Sequence, residues 1–278
     1  MPDYDFYAVF GHPVTHSKSP RIHSLFAEQT GQSRVEYGAL DVEPDQFAAR
    51  VHEFIAQGGK GLNCTIPLKE LAFKIAAATS HRAAQCKAVN TLVVREDGSL
   101  FGDNTDGVGL VRDLQDNLNL LLVDLDILVL GAGGASRGIL GPILDCNPGK
   151  LFIANRGAEK ARDLASEFHQ VPNLSAGGLD ELEGRKFDLI LNATAASLTG
   201  DLPRLPDELL NPNGACYDLA YAPWPTAFVQ WGRMHKASIS VDGIGMLVEQ
   251  AAEAFRIWRG VIPDTLPVIR TLQNERGG

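Results

Sequence analysis

The stretch Leu125-Asp126-Ile127-Leu128-Val129-Leu130-Gly131-Ala132-Gly133-Gly134-Ala135-Ser136 reads as a strand, a glycine turn and the opening of a helix. A continuous apolar run such as residues 125–130 is typical of a strand covered on both faces of a parallel sheet. Glycines directly after such a strand let the backbone approach a pyrophosphate. The helix that follows offers free N–H groups and the positive end of its dipole. Gly131, Ala132, Gly133, Gly134 and Ala135 are therefore the candidate dinucleotide-binding turn. Ser136 stands where the common fingerprint has Gly or Ala, so the pattern depends on its strand-turn-helix context.

Working outward, apolar spacing predicts a helix over 135–146, a strand over 151–155 and a helix over 158–168. Runs at 187–192, 215–218 and 239–241 complete a parallel sheet, and 246–260 has the spacing of a final helix, with Leu247, Ala251, Ala254, Phe255 and Trp258 on one face. The second strand ends in Asn155-Arg156. A cofactor held by its ribose 2′-hydroxyl calls for Asp or Glu there, whereas a 2′-phosphate calls for a cation. The planar guanidinium of Arg156 suits a phosphate, so NADP is expected over NAD.

The first hundred residues alternate strand-like and helix-like runs: strands at 6–10, 35–42 and 61–65, helices at 20–30, 47–57 and 68–78. Asp97-Gly98 between 91–94 and 100–103 is a hairpin signal. With 278 residues, two α/β domains are expected, the break falling near residue 106 where the βα pattern restarts.

Composition narrows the function. A net charge of −9 with scattered Lys and Arg excludes general nucleic-acid binding and leaves a small-molecule ligand held by a few local donors. The start Met1-Pro2-Asp3-Tyr4-Asp5 lacks the features of a secretion signal, and the most apolar stretch, 118–130, is too short for a bilayer and carries Asn119, Asp124 and Asp126. Cys64, Cys86, Cys146 and Cys216 stand far apart, as reduced thiols of a cytoplasmic protein do. His12 and His16 have the offset of helical metal ligands, but Pro13 argues against a helix and no carboxylate is near in sequence, so no metal is expected.

Three polar clusters punctuate the first domain: Ser17-Lys18-Ser19-Pro20, Asn63-Cys64-Thr65-Ile66-Pro67-Leu68-Lys69, and Gly102-Asp103-Asn104-Thr105-Asp106-Gly107, with Asn90-Thr91 between the last two. Helix capping explains many of these residues: Ser19 before Pro20, the segment before Pro67, and Asp106 at the next helix. Lys69 resists that explanation, because a cation in a first helical turn opposes the dipole. An amine poised beside a carboxylate can move a proton as hydride moves, and Asp106 is its expected partner.

Taken together, these motifs resemble the shikimate dehydrogenase family over nearly the whole chain. The likeness is carried by residues 9–13 and 16–20, 63–69, 88–91, 102–107, 131–137, Asn155-Arg156, Asn192-Ala193-Thr194, Tyr217-Asp218 and 242–250. The resemblance implies an N-terminal α/β substrate domain plus a Rossmann-type parallel-sheet NADP domain with the cleft between them, divided as 1–106 with 243–278 and 107–242. It implies an oxidoreductase that reversibly reduces 3-dehydroshikimate to shikimate with NADPH in aromatic amino-acid biosynthesis. Lys69 and Asp106 would be its catalytic pair, Ser17 and Ser19 would bind the carboxylate with Tyr221 nearby, and Asn63, Thr65, Asn90 and Gln250 would join Asp106 around the ring hydroxyls. Asn192 and Thr194 would lie at the cofactor and Gly243 near the nicotinamide. A quinate/shikimate dehydrogenase of broader range and a noncatalytic NADP-binding sensor are the alternatives, and monomer and homodimer are both compatible.

This sequence departs from the family pattern in three places. Ala195-Ala196-Ser197 replaces a Ser-rich stretch, Gly157 replaces a common Thr, and Lys87 takes a usual Gly position. The first two remove hydroxyls near the expected cofactor, and the third adds a cation on the substrate side.

Overall fold

The computed structural model describes residues 4–198 and 200–276. The chain divides into two units, one made of residues up to 110 with Leu247–Arg270, the other of Val111–Met246 and the residues after 270.

In the first unit, β1 (Asp5–Gly11), α1 (Ser19–Gln29), β2 (Val35–Asp41), α2 (Phe47–Ala56), β3 (Gly59–Cys64), α3 (Lys69–Ile75), β4 (Ala78–Thr79), α4 (His81–Cys86), β5 (Thr91–Val94) and β6 (Leu100–Asp103) follow in order. The start of α5 (Asp106–Arg112) completes this run. The strands form one sheet in the order β2-β1-β3-β5-β6-β4. β1 runs parallel to β2 and β3, whereas β5 is antiparallel to both β3 and β6. One consequence governs the function. The C-terminal ends of β1, β3 and β6 and the N-terminal end of β5 all fall on the same edge of the sheet, since Asn63 pairs with Thr91 and Thr91 with Asp103. The polar clusters after residue 11, after residue 64, before residue 91 and after residue 103 are thereby delivered to one place.

Phe10, Phe47, Phe54, Leu62, Leu68 and Leu92 form the core beneath that edge. The helix expected over 68–78 ends at Ile75, because Ala77 N–H donates to the Leu100 carbonyl (2.9 Å) and Ser80 N–H to that of Gly102 (2.9 Å), drawing the chain onto β6 as a short edge strand. The sequence pattern also missed α4, which Ser80 caps by accepting the Ala83 N–H (3.2 Å).

The second unit contains β7 (Asp126–Leu130), α6 (Gly134–Leu144), β8 (Lys150–Asn155), α7 (Ala158–Ser166), β9 (Leu174–Gly178), β10 (Phe187–Asn192), β11 (Leu210–Asp218), α8 (Ala227–Met234) and β12 (Ile239–Asp242). It is followed by α9 (Ile244–Arg259), missed in sequence at its first residues, and α10 (Thr265–Asn274), missed altogether. The sheet order is β12-β11-β10-β7-β8-β9 with every pairing parallel. Strand order reverses between β7 and β10, and the carboxyl ends of strands at such a reversal are where open α/β sheets bind ligands. Ile127, Leu128, Val129, Leu130, Leu189, Ile190 and Leu191 are fully buried, as two-sided coverage requires. β9, Leu-Ser-Ala-Gly-Gly, was not legible because small residues give little strand signal.

The loop between β1 and α1 is tethered. His12 Nδ1 lies 2.6 Å from Asp41 Oδ1, and Asp41 Oδ2 accepts the Val14 N–H (3.1 Å). The hydrogen bond to Asp41, aided by Glu43, raises the His12 pKa above its ordinary 6.5. The same hydrogen bond lowers the Asp41 carboxyl below 3.8, with help from the Val14 N–H. A raised imidazole pKa gives stability that is fully present below pH 6.5 and lost as pH rises through the raised value. A depressed carboxylate gives stability present above pH 3.8 and lost as pH falls through the lowered value, so the tether is strongest between these limits. NMR titration should find His12 titrating above 6.5 and returning toward that value in Asp41→Asn; an identical midpoint in both proteins would show that the contact does not hold the loop.

Candidate functional site

Lys69 is the first residue of α3 and Asp106 the first of α5. Their side chains meet on the shared sheet edge, with Lys69 Nζ donating to Asp106 Oδ2 at 2.6 Å. The lysine side chain is 27% exposed and the aspartate 12%, so the pair is largely withdrawn from water. At the start of α5 Asn104 Oδ1 accepts the Asp106 N–H (3.1 Å), while the Asp106 carboxylate turns to Lys69 and Asn90. A carboxylate in a first helical turn is also favoured by the dipole.

Asn90, which is buried, orients that carboxylate. Its Nδ2 donates to Asp106 Oδ1 (2.8 Å) and to Thr105 Oγ1 (3.0 Å), and its Oδ1 accepts from the Thr105 backbone (2.9 Å) and from Thr91 Oγ1 (2.9 Å). Gln250 Oε1 lies 3.4 Å from both Asn90 Nδ2 and Thr105 Oγ1. It comes this close because Gly109 has no side chain, and a Cβ there would sit 2.6 Å from the Gln250 nitrogen. Asn63 joins the set through Asn90 O (3.0 Å) and Thr91 Oγ1 (3.1 Å). Thr105 has no distinguishing signal in the sequence, where nothing separates it from its neighbours in the 102–107 cluster.

Ser17 and Ser19 lie at the β1 end of the same edge. Ser19 is not the N-cap of α1 as expected; Lys18 holds that position without a side-chain cap, and Ser17 Oγ accepts the Ser19 N–H (3.2 Å). The Ser19 hydroxyl is thus free of a capping role, as an anion-binding hydroxyl at a helix start must be. Nor does Thr65 cap α3 through its hydroxyl: Leu68 is the N-cap and donates its N–H to the Thr65 carbonyl (2.8 Å). Gly11 makes room for the Thr65 methyl, which a Cβ would approach to 2.4 Å.

The cofactor candidates lie in the second unit, at the β7/β10 reversal. Gly131 adopts φ +100°, and its turn abuts the loop after β10, where Ala193 N–H donates to Leu130 O (2.9 Å). Around Gly133 and Gly134 nothing lies within 4 Å of where a Cβ would stand, and Gly133 caps α6 without a side-chain hydrogen bond. Free N–H groups behind an open glycine turn are what a pyrophosphate needs, so these residues fit a dinucleotide. Ser136 is buried and donates its hydroxyl to the Gly131 carbonyl (2.8 Å), so the departure from the fingerprint closes the turn from within. Asn155 Nδ2 braces the next loop at Gly157 O (3.0 Å), and Arg156 is exposed with no ion pair among the described residues.

Asn192 is fully buried. Its Oδ1 accepts from Thr194 (2.7 Å from Oγ1), and its Nδ2 donates to Ser197 Oγ (2.8 Å) and to Asp218 Oδ1 (3.2 Å). It shapes the loop that carries Thr194. Burial raises the Asp218 pKa, while hydroxyls of Ser197 and Thr226 pull it back. Tyr221 and Gly243 also belong to this unit. Gly243 must be glycine, since a Cβ would meet Leu219 O at 2.2 Å. Tyr221 is half-buried and its pKa raised by burial, opposed by Arg276.

The chain is similar to known proteins along its length. A shikimate dehydrogenase substrate binding domain matches residues 9–92, a shikimate/quinate 5-dehydrogenase model 114–199, and a shikimate 5′-dehydrogenase C-terminal domain 243–273. The shikimate dehydrogenase (NADP+) of Methylococcus capsulatus is 59% identical over 99% of both chains. Among solved structures, an Ael1 enzyme from Pseudomonas putida superposes with a TM-score of 0.91 at 46% identity, covering 96% of this chain and 98% of that one. The shikimate 5-dehydrogenase of Thermus thermophilus, solved with NADP(H) and shikimate, gives 0.86 at 33% identity over 97% and 99%. The chain belongs to the shikimate dehydrogenase family.

Proposed function

We infer that this chain reversibly reduces 3-dehydroshikimate to shikimate with NADPH, a step of aromatic amino-acid biosynthesis. The observation that carries this reading is the 2.6 Å contact of Lys69 with Asp106, braced by Asn90, in a chain so similar to NADP-dependent shikimate dehydrogenases. Residues 1–106 with 243–278 are assigned to the substrate and 107–242 to NADP. A cytoplasmic location fits the four free cysteines, and among the described residues no helix is long and apolar enough to cross a membrane.

When bound, NADPH supplies the hydride that goes to the ketone carbon. The carbonyl oxygen then needs a proton, and the chain's own residues manage it. Lys69 Nζ has three N–H donors and spends one on Asp106, so the others are free to hold a substrate oxygen. The proton resides on the Lys69–Asp106 pair, and Asn90 Nδ2 at Asp106 Oδ1 keeps the carboxylate turned toward the lysine. Ser17 and Ser19 take the substrate carboxylate with Tyr221 beside it. Asn63, Thr65, Asn90 and Gln250 take ring hydroxyls, and a polar pocket of this kind rejects analogues that lack them. Gly131, Ala132, Gly133, Gly134 and Ala135 hold the pyrophosphate and Asn155 with Arg156 the 2′-phosphate. Asn192 and Thr194 form the adjoining loop, and Gly243 lies near the nicotinamide.

Two experiments test this. Nicotinamide absorbance is followed with shikimate and with quinate, each against NADP and NAD; shikimate with NADP should be fastest, and Lys69→Ala should lower kcat at least about 100-fold, the scale of general acid–base catalysis, with NADP affinity within about twofold. Retained turnover in that variant would end the proton-transfer assignment. Separately, Arg156→Ala should weaken NADP by about 1.5–3 kcal/mol, roughly 10- to 150-fold, the scale of a charged hydrogen bond. Calorimetry that found equal losses for NADP and NAD would contradict the 2′-phosphate role.

A further inference from the structure

Asn63 has almost no hydrogen-bonding capacity left. A primary amide offers two N–H donors and two lone pairs. Both donors of Asn63 are spent, on Asn90 O (3.0 Å) and Thr91 Oγ1 (3.1 Å), and Oδ1 accepts the Tyr37 hydroxyl at 2.7 Å. One lone pair on Oδ1 remains, so toward a ligand Asn63 is an acceptor only.

The Tyr37 hydroxyl does more than fill a valence. The Ser19 hydroxyl also acts on it, opposing the rise that burial gives the phenol's pKa. One phenol oxygen on β2 therefore stands between the helix start after β1 and the end of β3, the places read above as holding the substrate carboxylate and a ring hydroxyl.

The ring of Tyr37 is fixed by its neighbours. His23 of α1 stacks on it with centroids 4.0 Å apart and planes 5° from parallel, and Trp258 leans against it at 6.3 Å. His23 is 1% exposed, and neither ring nitrogen has a partner at hydrogen-bonding geometry. Burial drives its pKa down to about 3 against a weaker opposing pull from Asn63, so it is neutral wherever the protein is folded near neutral pH. A buried imidazole with no partners is an unusual choice for a core. Its visible contribution is a flat plate, enclosed by Phe26, Phe255 and Trp258, against which the phenol lies.

We propose that Tyr37, held by the His23 stack, is a positioning residue that orients the Asn63 amide and restricts Asn63 to substrates that donate a hydroxyl proton to it. This rests on the reading that Ser19 and Asn63 contact the substrate. Tyr37→Phe keeps the ring and the stack and removes only the phenol oxygen. It should raise KM for shikimate roughly tenfold, the worth of about one hydrogen bond, with kcat and the KM for NADP within about twofold and the melting temperature nearly unchanged. Shikimate analogues lacking one non-reacting ring hydroxyl sharpen the test, since for the analogue missing the Asn63 contact the penalty should fall by most of its value. His23→Phe, which keeps a plate without nitrogens, should leave KM near that of the unsubstituted protein. A uniform loss across shikimate, NADP and thermal stability, or an equal penalty for every analogue, overturns the positioning role, and a raised KM in His23→Phe overturns the plate. If the unsubstituted protein fails to oxidise shikimate at all, the functional reading fails and takes this inference with it.

Discussion

Lys69 and Asp106 carry opposite charges into a region where water is scarce, and most of the first unit is arranged so that this is tolerable. Taking two charges out of water costs more than their attraction returns unless further hydrogen bonds satisfy what remains. Asp106 has such bonds: Lys69 on Oδ2 and Asn90 on Oδ1, with Asn90 in turn held by Thr91 and Thr105. The lysine has fewer. Its unspent donors are the feature that turns a structural ion pair into a place where a substrate oxygen gains something by arriving. A substrate oxygen held there would complete the solvation of the ammonium, so ligand binding would also stabilise the pair.

The two sheets solve different problems. The first is mixed, and its antiparallel β5 allows residues before a strand and residues after its neighbours to share an edge, so polar segments far apart in sequence converge. The second is wholly parallel and needs only two loops, after β7 and β10, at the point where strand order reverses. There the backbone itself would be the binding group. Bare space at Gly133 and Gly134 matters more than any side chain, and side chains such as Ser136 and Asn192 are turned inward to hold the loops in shape.

The division of labour explains what the sequence disclosed. The β7 run and glycine turn were legible because strand burial and turn geometry leave strong local marks. The pairing of Lys69 with Asp106 was anticipated because a cation at a helix start is locally unfavourable and so calls for a partner. Features defined by sheet register left no such mark. Tyr37 looks like any aromatic on a half-exposed strand, and only the register that sets β2 beside β1 and β1 beside β3 puts its hydroxyl on Asn63. The cap reading of Ser19 failed for a related reason: Ser-Pro favours a helix start without fixing which residue supplies the cap, and the helix begins one residue earlier than a Ser19 cap would allow.

The departures from the family pattern become intelligible in the same terms. Lys87 adopts φ +52° and ψ +33° as the C-cap of α4, the left-handed position at which glycine is the usual residue. The glycine preference there is thus a backbone requirement, and the lysine meets it at the cost of some strain while its exposed side chain leads away from the core. Gly157 caps α7 without a side-chain hydrogen bond, so the missing hydroxyl leaves first-turn N–H groups unclaimed beside Arg156. Ser197 keeps its hydroxyl and donates it to Asp218 (2.6 Å), which also accepts from Thr226 (2.6 Å) and from the Ala220 N–H (3.2 Å). One buried carboxylate therefore ties the Thr194 loop to the segment leading into Tyr221. In this chain the hydroxyl that anchors the loop is supplied by Ser197, with Ala195 and Ala196 supplying none.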